Sequence, residues 1–299
     1  MREQKDQQRY IGEMGLPESG PSIIIIAGMH GNEPAGIYAS EYVFDFIRKN
    51  GLKVNGFVTA LKGNLPAIQK NVRFVDKDLN RLWTDEYLQS DDDSVREIAE
   101  LKSLHTELNR LCQQTNGDCL LLDLHTFSAK SGIFAMPSGQ THARKIAGDL
   151  GVPFVNRLAQ VLPNTAVNYY GSKGIDTLAF EAGNHEAHES VDNMISALFV
   201  TLVSAGCLDE GNIPGIDNHR NRLKQTANGL PQKMELVYRF TLEDASQFKM
   251  NPGYTNFQKI TKGEHLANLN GEKVLAPLDG YMLMPLYQKI GSDGFFIVK

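Results

Sequence analysis

The sequence predicts an α/β fold: a mostly parallel or mixed central sheet flanked by helices, followed by a small C-terminal β domain. Three observations predict it. Ile23-Ile24-Ile25-Ile26 is a β-branched run without a polar residue, as expected for a strand covered on both faces. Strand-like runs then alternate with amphipathic stretches as far as about Gly206. After Met234 the chain breaks into short apolar pieces split by proline and glycine, such as Leu236-Val237-Tyr238, Tyr281-Met282-Leu283 and Phe295-Phe296-Ile297-Val298. The expected organisation is a first domain over 1–210, a linker over 211–232 rich in glycine, asparagine and charge, and a β domain over 233–299.

Taken in order, Tyr10-Ile11 reads as an edge strand or a fraying end, and the Ile23 run as the first buried strand. A helix follows from about Pro34 to Lys49, with Ile37, Tyr42, Val43 and Ile47 on one side. Leu52 to Leu61 reads as a strand, and Gly63-Asn64-Leu65-Pro66 as a turn. Arg73 to Trp83 carries the polar residues Asp76, Asp78, Asn80 and Arg81, with Trp83 read as packing under that loop. Asp91-Asp92-Asp93 reads as a solvated acidic run. Ser94 with Glu97 has the form of a capping box, opening a helix to about Gln113. Strands are expected at Cys119–Leu124, Gly132–Met136, Val152–Val155 and Gly174–Phe180, and helices at Ala143–Leu150 and Ser190–Ser204.

Composition narrows the function. A net charge of −5 over 299 residues argues against nucleic acid as the main partner. No apolar run approaches the roughly 20 residues that a membrane span needs. The polar start Met1-Arg2-Glu3-Gln4-Lys5-Asp6 shows no signal peptide. Three scattered cysteines, Cys112, Cys119 and Cys207, suggest neither a disulfide framework nor a cysteine-held metal. The expected setting is the cytoplasm. The oligomeric state is left open.

The chemistry lies at strand ends, where open α/β sheets place their ligands. The Ile23 strand runs into Met29-His30-Gly31-Asn32-Glu33, an imidazole and a carboxylate on one tight turn. Gly31 permits close backbone approach, and Pro34 keeps Glu33 out of helical geometry. His30 and Glu33 are therefore read as metal ligands. The Cys119 strand ends at His125 and the Gly174 strand at Glu181. Two histidines and one carboxylate leave a fourth position on zinc open, which is the catalytic pattern. Asp123, two residues before His125, lies on the same strand face and is placed to hold that imidazole. His105, His142, His185, His188 and His219 are read as structural, with the pair after Glu181 near enough in sequence to touch its cleft.

Four motifs in order, His30-Gly31-Asn32-Glu33, Asp78-Leu79-Asn80-Arg81, Asp123-Leu124-His125 and Phe180-Glu181-Ala182-Gly183, resemble those of the succinylglutamate desuccinylase/aspartoacylase family of zinc hydrolases, relatives of the metallocarboxypeptidases. The resemblance spans about two-thirds of the chain, and the C-terminal β texture fits it too. It implies a zinc carboxypeptidase-like catalytic fold over 1–210. It implies one zinc on His30, Glu33 and His125, with Glu181 as general acid/base. It also implies Arg73 as the arginine that polarises the scissile carbonyl, and Asn80 with Arg81 as the holders of a substrate carboxylate. The chemistry agrees, because zinc brings a bound water near a pKa of about 7. A carboxylate can relay its proton, and a guanidinium fork fits a carboxylate in bidentate fashion.

Two departures bear on the substrate. Aspartoacylases of this family carry a further arginine in the loop before the glutamate, where this chain reads Tyr169-Tyr170-Gly171-Ser172-Lys173-Gly174. They also use a C-terminal tyrosine, where this chain reads Gly294-Phe295-Phe296, with Tyr254 and Tyr281 as possible replacements. The second carboxylate contact is expected to be missing or rebuilt around Lys173. The expected function is a zinc-dependent deacylase cleaving an amide or ester bond of a small N-acyl amino acid-like substrate. The rival readings are a metallocarboxypeptidase acting on short peptides, an Fe(II) oxygenase and a zinc-binding module without catalysis.

Overall fold

The computed structural model describes residues 9–92, 94–115, 119–129, 132–139, 142–227 and 229–299. The polar start Met1–Asp6 and Asp93 of the acidic run lie outside the described residues. In chain order the strands are β1 (Tyr10–Gly15), β2 (Ser22–Ala27), β3 (Phe57–Lys62), β4 (Cys119–Phe127), β5 (Phe134–Ser138), β6 (Phe154–Asn156), β7 (Asp176–Asn184), β8 (Lys233–Thr241), β9 (Phe248–Met250), β10 (Lys259–Ile260), β11 (His265–Leu269), β12 (Glu272–Leu275), β13 (Gly280–Leu283) and β14 (Asp293–Val298). The helices are α1 (Ala35–Lys49), α2 (Leu65–Lys70), α3 (Asp85–Gln89), α4 (Arg96–Gln114), α5 (His142–Asp149), α6 (Leu158–Val161), α7 (Ala166–Ser172), α8 (His188–Ser204) and α9 (Ile216–Thr226).

Among the described residues, eleven strands form one mixed sheet in the order β1-β3-β2-β4-β7-β5-β6-β8-β14-β13-β10, and β12-β11-β9 form a second, small one. The parallel centre, β3-β2-β4-β7, is where the sequence is most apolar. Side chains alternate across these strands. Ile23, Ile25, Leu122, Leu124, Leu178 and Phe180 pack with α1 and α8 on one face. Ile24, Ile26 and Leu121 meet Leu101, Leu104, Leu108 and Leu111 of α4 on the other. Asp123, His125 and Glu181 keep the parity of this second face, so they emerge at the strands' carboxyl ends on the α4 side.

Several expectations are corrected. Residues 211–232 are not a linker. They include α9, whose Ile216 and Leu223 are buried, and whose His219 ring packs at a tilt 4.9 Å from the Phe199 ring of α8. The helix is otherwise charged, so its composition imitates a loop. The sheet crosses the expected boundary, because β6 pairs with β8 in parallel. Tyr42 of α1 faces outward, 52% exposed.

Ser94 and Glu97 do not form a capping box. The N-cap of α4 is Val95, without a side-chain cap. Glu97 is fully buried and serves another segment: its carboxylate accepts from the backbone N–H groups of Val75 (2.7 Å), Asp76 (3.1 Å) and Lys77 (3.1 Å), and from Asn64 Nδ2 (3.3 Å). One buried residue thus ties down the loop that leads to Asp78, Asn80 and Arg81. Glu97→Ala would strand three backbone donors, so we expect it to lower the unfolding free energy by about 3 kcal/mol, as read by chemical denaturation. An unchanged midpoint would contradict this role.

Candidate active site

Four segments converge at the carboxyl ends of β2, β4 and β7. After β2, Gly28 takes a positive φ of 72° and the chain turns through His30 and Glu33 into α1. A Cβ at Gly31 would fall 2.0 Å from the carbonyl carbon of Ala67, so only glycine lets this turn press against α2. Pro34 sits at the N-cap of α1 and closes the turn.

His30, Glu33 and His125 are all buried, and one donor atom from each lies within 4.8 Å of the others. The Glu33 carboxylate stands between the imidazoles, with Oε1 2.9 Å from His30 Nδ1 and Oε2 3.2 Å from His125 Nδ1. It also accepts from the Thr126 backbone N–H at 2.9 Å. Each imidazole turns its other nitrogen to a second carboxylate: His30 Nε2 lies 3.0 Å from Asp78 Oδ1, and His125 Nε2 lies 2.9 Å from Asp123 Oδ2. A metal-ligating histidine is held by an outer carboxylate; His30 and Asp78 are hydrogen-bonded, whereas His125 and Asp123 form a close charge pair without hydrogen-bond geometry. The donor set therefore fits a divalent cation that takes nitrogen and oxygen, and two nitrogens with one carboxylate is the set that zinc uses. The sequence pointed to Asp123 only by its strand parity with His125, and it did not point to Asp78, although that residue opens the motif Asp78-Leu79-Asn80-Arg81.

The charges around the centre reinforce one another. Burial would raise the Glu33 pKa, but the imidazoles of His30 and His125 outweigh it and hold the carboxyl well below its usual range. Asp78 is held down similarly, against its burial, by His30 and Arg73. His125 is pushed well above the usual imidazole range: burial opposes this, and the carboxylates of Asp123 and Glu33 prevail. A protonated His125 cannot take a cation, so proton and metal compete for it. We expect Zn2+ to bind the metal-free protein more tightly as pH rises toward the raised His125 pKa, with release of about one proton. Titration calorimetry in buffers of different ionisation heat reads this, and binding independent of pH between about 6 and 9 would contradict it.

Glu181 is the register partner of His125 across β7 and β4. It is buried, and its Oε2 has no hydrogen-bond partner among the described residues. Burial raises its pKa to about 8; Glu33 and Asp123 add to the rise, while His125 and Arg73 oppose it. Arg73 grips Asp78 Oδ2 through Nε (3.2 Å) and Nη2 (2.9 Å), and its Nη1 lies 3.6 Å from Glu33. Asn80 donates to Asp78 Oδ1 through its backbone, and its Nδ2 lies 3.4 Å from His125 Nε2. Arg81 donates to the Asn80 carbonyl at 2.8 Å, and its Nη2 lies 3.9 Å from Asp293 Oδ2. That loose pairing leaves the guanidinium able to take an incoming carboxylate.

These residues, Asp78 apart, line one cleft that opens to solvent. Lys173 is not part of it, which corrects its expected role. It lies at the C-cap of α7, where its ammonium sits 4.1 Å from the centre of the Tyr169 ring, donates to Tyr169 Oη at 2.6 Å and approaches Asp85 at 3.6 Å. Helix α7 turns its first residues toward the cleft and its last away. Neither Tyr254 nor Tyr281 reaches the cleft, and Tyr254 donates to Glu264 at 2.6 Å instead. His185 does line it, with Nδ1 2.8 Å from Thr126 Oγ1. The far wall comes from the C-terminal region, including Met284, Leu286, Asp293 and Phe296, which no motif marks. Trp83 is buried against the rings of Tyr169 and Tyr170, as expected.

Residues 19–192 match the family described as the succinylglutamate desuccinylase/aspartoacylase catalytic domain. The chain belongs to that family. As a member of this hydrolase family it is 26% identical over 276 residues to the succinylglutamate desuccinylase of Pseudoalteromonas atlantica, covering 87% of this chain and 78% of that protein. It is 30% identical over 180 residues to that of Pseudomonas paraeruginosa, covering 57% of this chain and 53% of that protein, about half its length. Among solved structures, the succinylglutamate desuccinylase of Chromobacterium violaceum superposes with a TM-score of 0.66 at 20% identity, covering 96% and 87% of the two chains. Murine aminoacylase 3 superposes with a TM-score of 0.61 at 17% identity, covering 93% and 95%. Both share the α/β fold with this family member. Among the described residues no helix is long and apolar enough to cross a membrane.

Proposed function

We propose that this family member is a zinc-dependent deacylase that cleaves the amide or ester bond of a small N-acyl amino acid-like substrate. The observation that carries the proposal is the convergence of His30 and His125 on Glu33, with the carboxyl of Glu181 on the neighbouring strand position. His30, Glu33 and His125 would hold one zinc, which when bound supplies a Lewis acid for the carbonyl and acidifies water.

The chain's own residues supply the remaining work. Glu181 accepts a proton from the attacking water and returns it to the leaving nitrogen or oxygen. Its Oε2 is buried and has no hydrogen-bond partner among the described residues, which leaves it open to that proton. Arg73 stays charged: burial works against it, and the carboxylates of Asp78 and Glu33 more than offset that. It can therefore stabilise the oxyanion that develops on the scissile carbonyl. Arg81 and the Asn80 amide hold the substrate carboxylate and fix its register. The C-terminal wall narrows the cleft and favours short substrates over peptide chains. The three cysteines are buried and form no disulfide among the described residues, which suits the cytoplasmic setting that we also propose.

The test is a panel of N-acyl amino acids, matching esters and dipeptides, assayed with metal-replete protein and with a chelator. Chelator-sensitive hydrolysis of the N-acyl amino acids is expected. Activity indifferent to the chelator would overturn metal catalysis, and a preference for dipeptides would overturn deacylation.

A further inference from the structure

The cleft has two unlike ends. One is the polar centre described above. The other is walled by Met136, Ala159, Leu162, Val167, Ala179 and Phe296, all buried and all apolar. Ala179 lies two residues before Glu181 on β7, so it shares that strand face. Met136 is its register partner on β5 and projects to the same side. The apolar end thus begins within one strand step of the catalytic carboxyl. Two alanines in the wall leave space, and a methionine lets the wall adapt to different shapes. Among the described residues lining the cleft, the only arginines are Arg73 and Arg81, and no lysine or tyrosine lines it.

The apolar end is joined to the carboxylate anchor rather than set apart from it. The Ala166 N–H at the start of α7 donates to Asn80 Oδ1 at 3.0 Å, which places Val167 beside the Asn80 side chain. A group seated against Val167 therefore belongs to the same half of the substrate as the carboxylate held by Arg81 and Asn80. In an N-acyl amino acid, the carboxylate and the side chain share one carbon.

We propose that the apolar end is a side-chain subsite that selects N-acyl derivatives of apolar amino acids bearing a single carboxylate. The inference rests on the deacylase function and narrows it. A side-chain carboxylate placed there would be buried among apolar side chains, and Arg239, the register partner of Phe296, is already held by Asp293 Oδ1 at 2.6 Å, so the cost is far above that of a methyl group. Leucine, methionine or phenylalanine side chains would instead gain by desolvation, and each methylene that fits counts for about 10-fold or more in discrimination.

The experiment compares N-acetyl-leucine, N-acetyl-methionine, N-acetyl-glycine, N-acetyl-aspartate and N-acetyl-glutamate with the metal-replete full chain. We expect kcat/KM for the leucine and methionine derivatives to exceed that for the aspartate and glutamate derivatives by about 100-fold or more. Val167→Arg should narrow that ratio by about 10-fold or more. Zinc content and a far-ultraviolet circular dichroism spectrum like the parent's report that the variant is folded. Equal or inverted preference in the unmodified chain would overturn the proposal, and so would a Val167→Arg variant with an unchanged ratio. If no derivative is hydrolysed, the deacylase function itself has failed and the subsite is judged by titration calorimetry. Tighter binding of N-acetyl-leucine than of N-acetyl-aspartate then upholds it, and equal or weaker binding overturns it.

Discussion

Glu181→Gln is expected to lower kcat/KM by about 10^3-fold, within the range of 10^2 to 10^4 that general acid–base groups contribute. Glutamine keeps the shape and the buried position but cannot take a proton from water or hand one on. Zinc content should be unchanged, because Glu181 is not among the three clustered ligands. Retained turnover would sink the mechanism. The same variant has a signature in stability that is independent of activity. In the metal-free protein burial raises the Glu181 pKa to about 8, against about 4.3 in an unfolded chain. Between those values the folded state holds more protons than the unfolded one, so stability falls as pH rises from about 4 to 8. Glutamine removes that slope. The variant should therefore gain stability relative to the parent with rising pH, and the difference should level off above about pH 8. Denaturation at a series of pH values reads it, and parallel curves would mean that the carboxyl is not held neutral.

Glu33→Gln is expected to abolish turnover at stoichiometric zinc and to weaken zinc binding by more than the roughly 100-fold that loss of an outer hydrogen-bond partner costs. Glu33 is the centre of the cluster, touching His30, His125, the Thr126 N–H and Arg73. The amide can still accept from Thr126, so the fold should survive. It cannot supply the negative charge that a divalent ion draws from its carboxylate ligand. Asp78→Asn makes the graded comparison: Asp78 touches His30 Nε2, not the centre, and its loss should cost about 10- to 100-fold in zinc affinity. Equal effects from the two variants would mean that Glu33 is a structural carboxylate.

The residues legible in the sequence were those whose chemistry is local. His30, Glu33, His125 and Glu181 each follow an apolar run, and a buried strand that stops at a polar residue marks its own carboxyl end. The parallel sheet then brings such ends together, which is why three separated motifs could be assembled into one cluster. What stayed hidden depends on tertiary packing. The role of Glu97 is set by backbone donors some twenty residues earlier in the chain, so its spacing from Ser94 misled. Helix α9 buries only a thin strip, and its charge imitates a linker. Lys173 stood in the right loop for a substrate contact, but the course of α7 turns it to the surface while Val167 faces the cleft. Phe296 enters the cleft by packing that no local pattern encodes, whereas His185 does so from its place just after Glu181.

The central claim is that His30, Glu33 and His125 share one metal ion. Anomalous diffraction at the zinc edge from metal-replete crystals tests it most directly. The account predicts one strong peak within bonding reach of all three side chains. A peak at other residues, or none at this cluster, would contradict it.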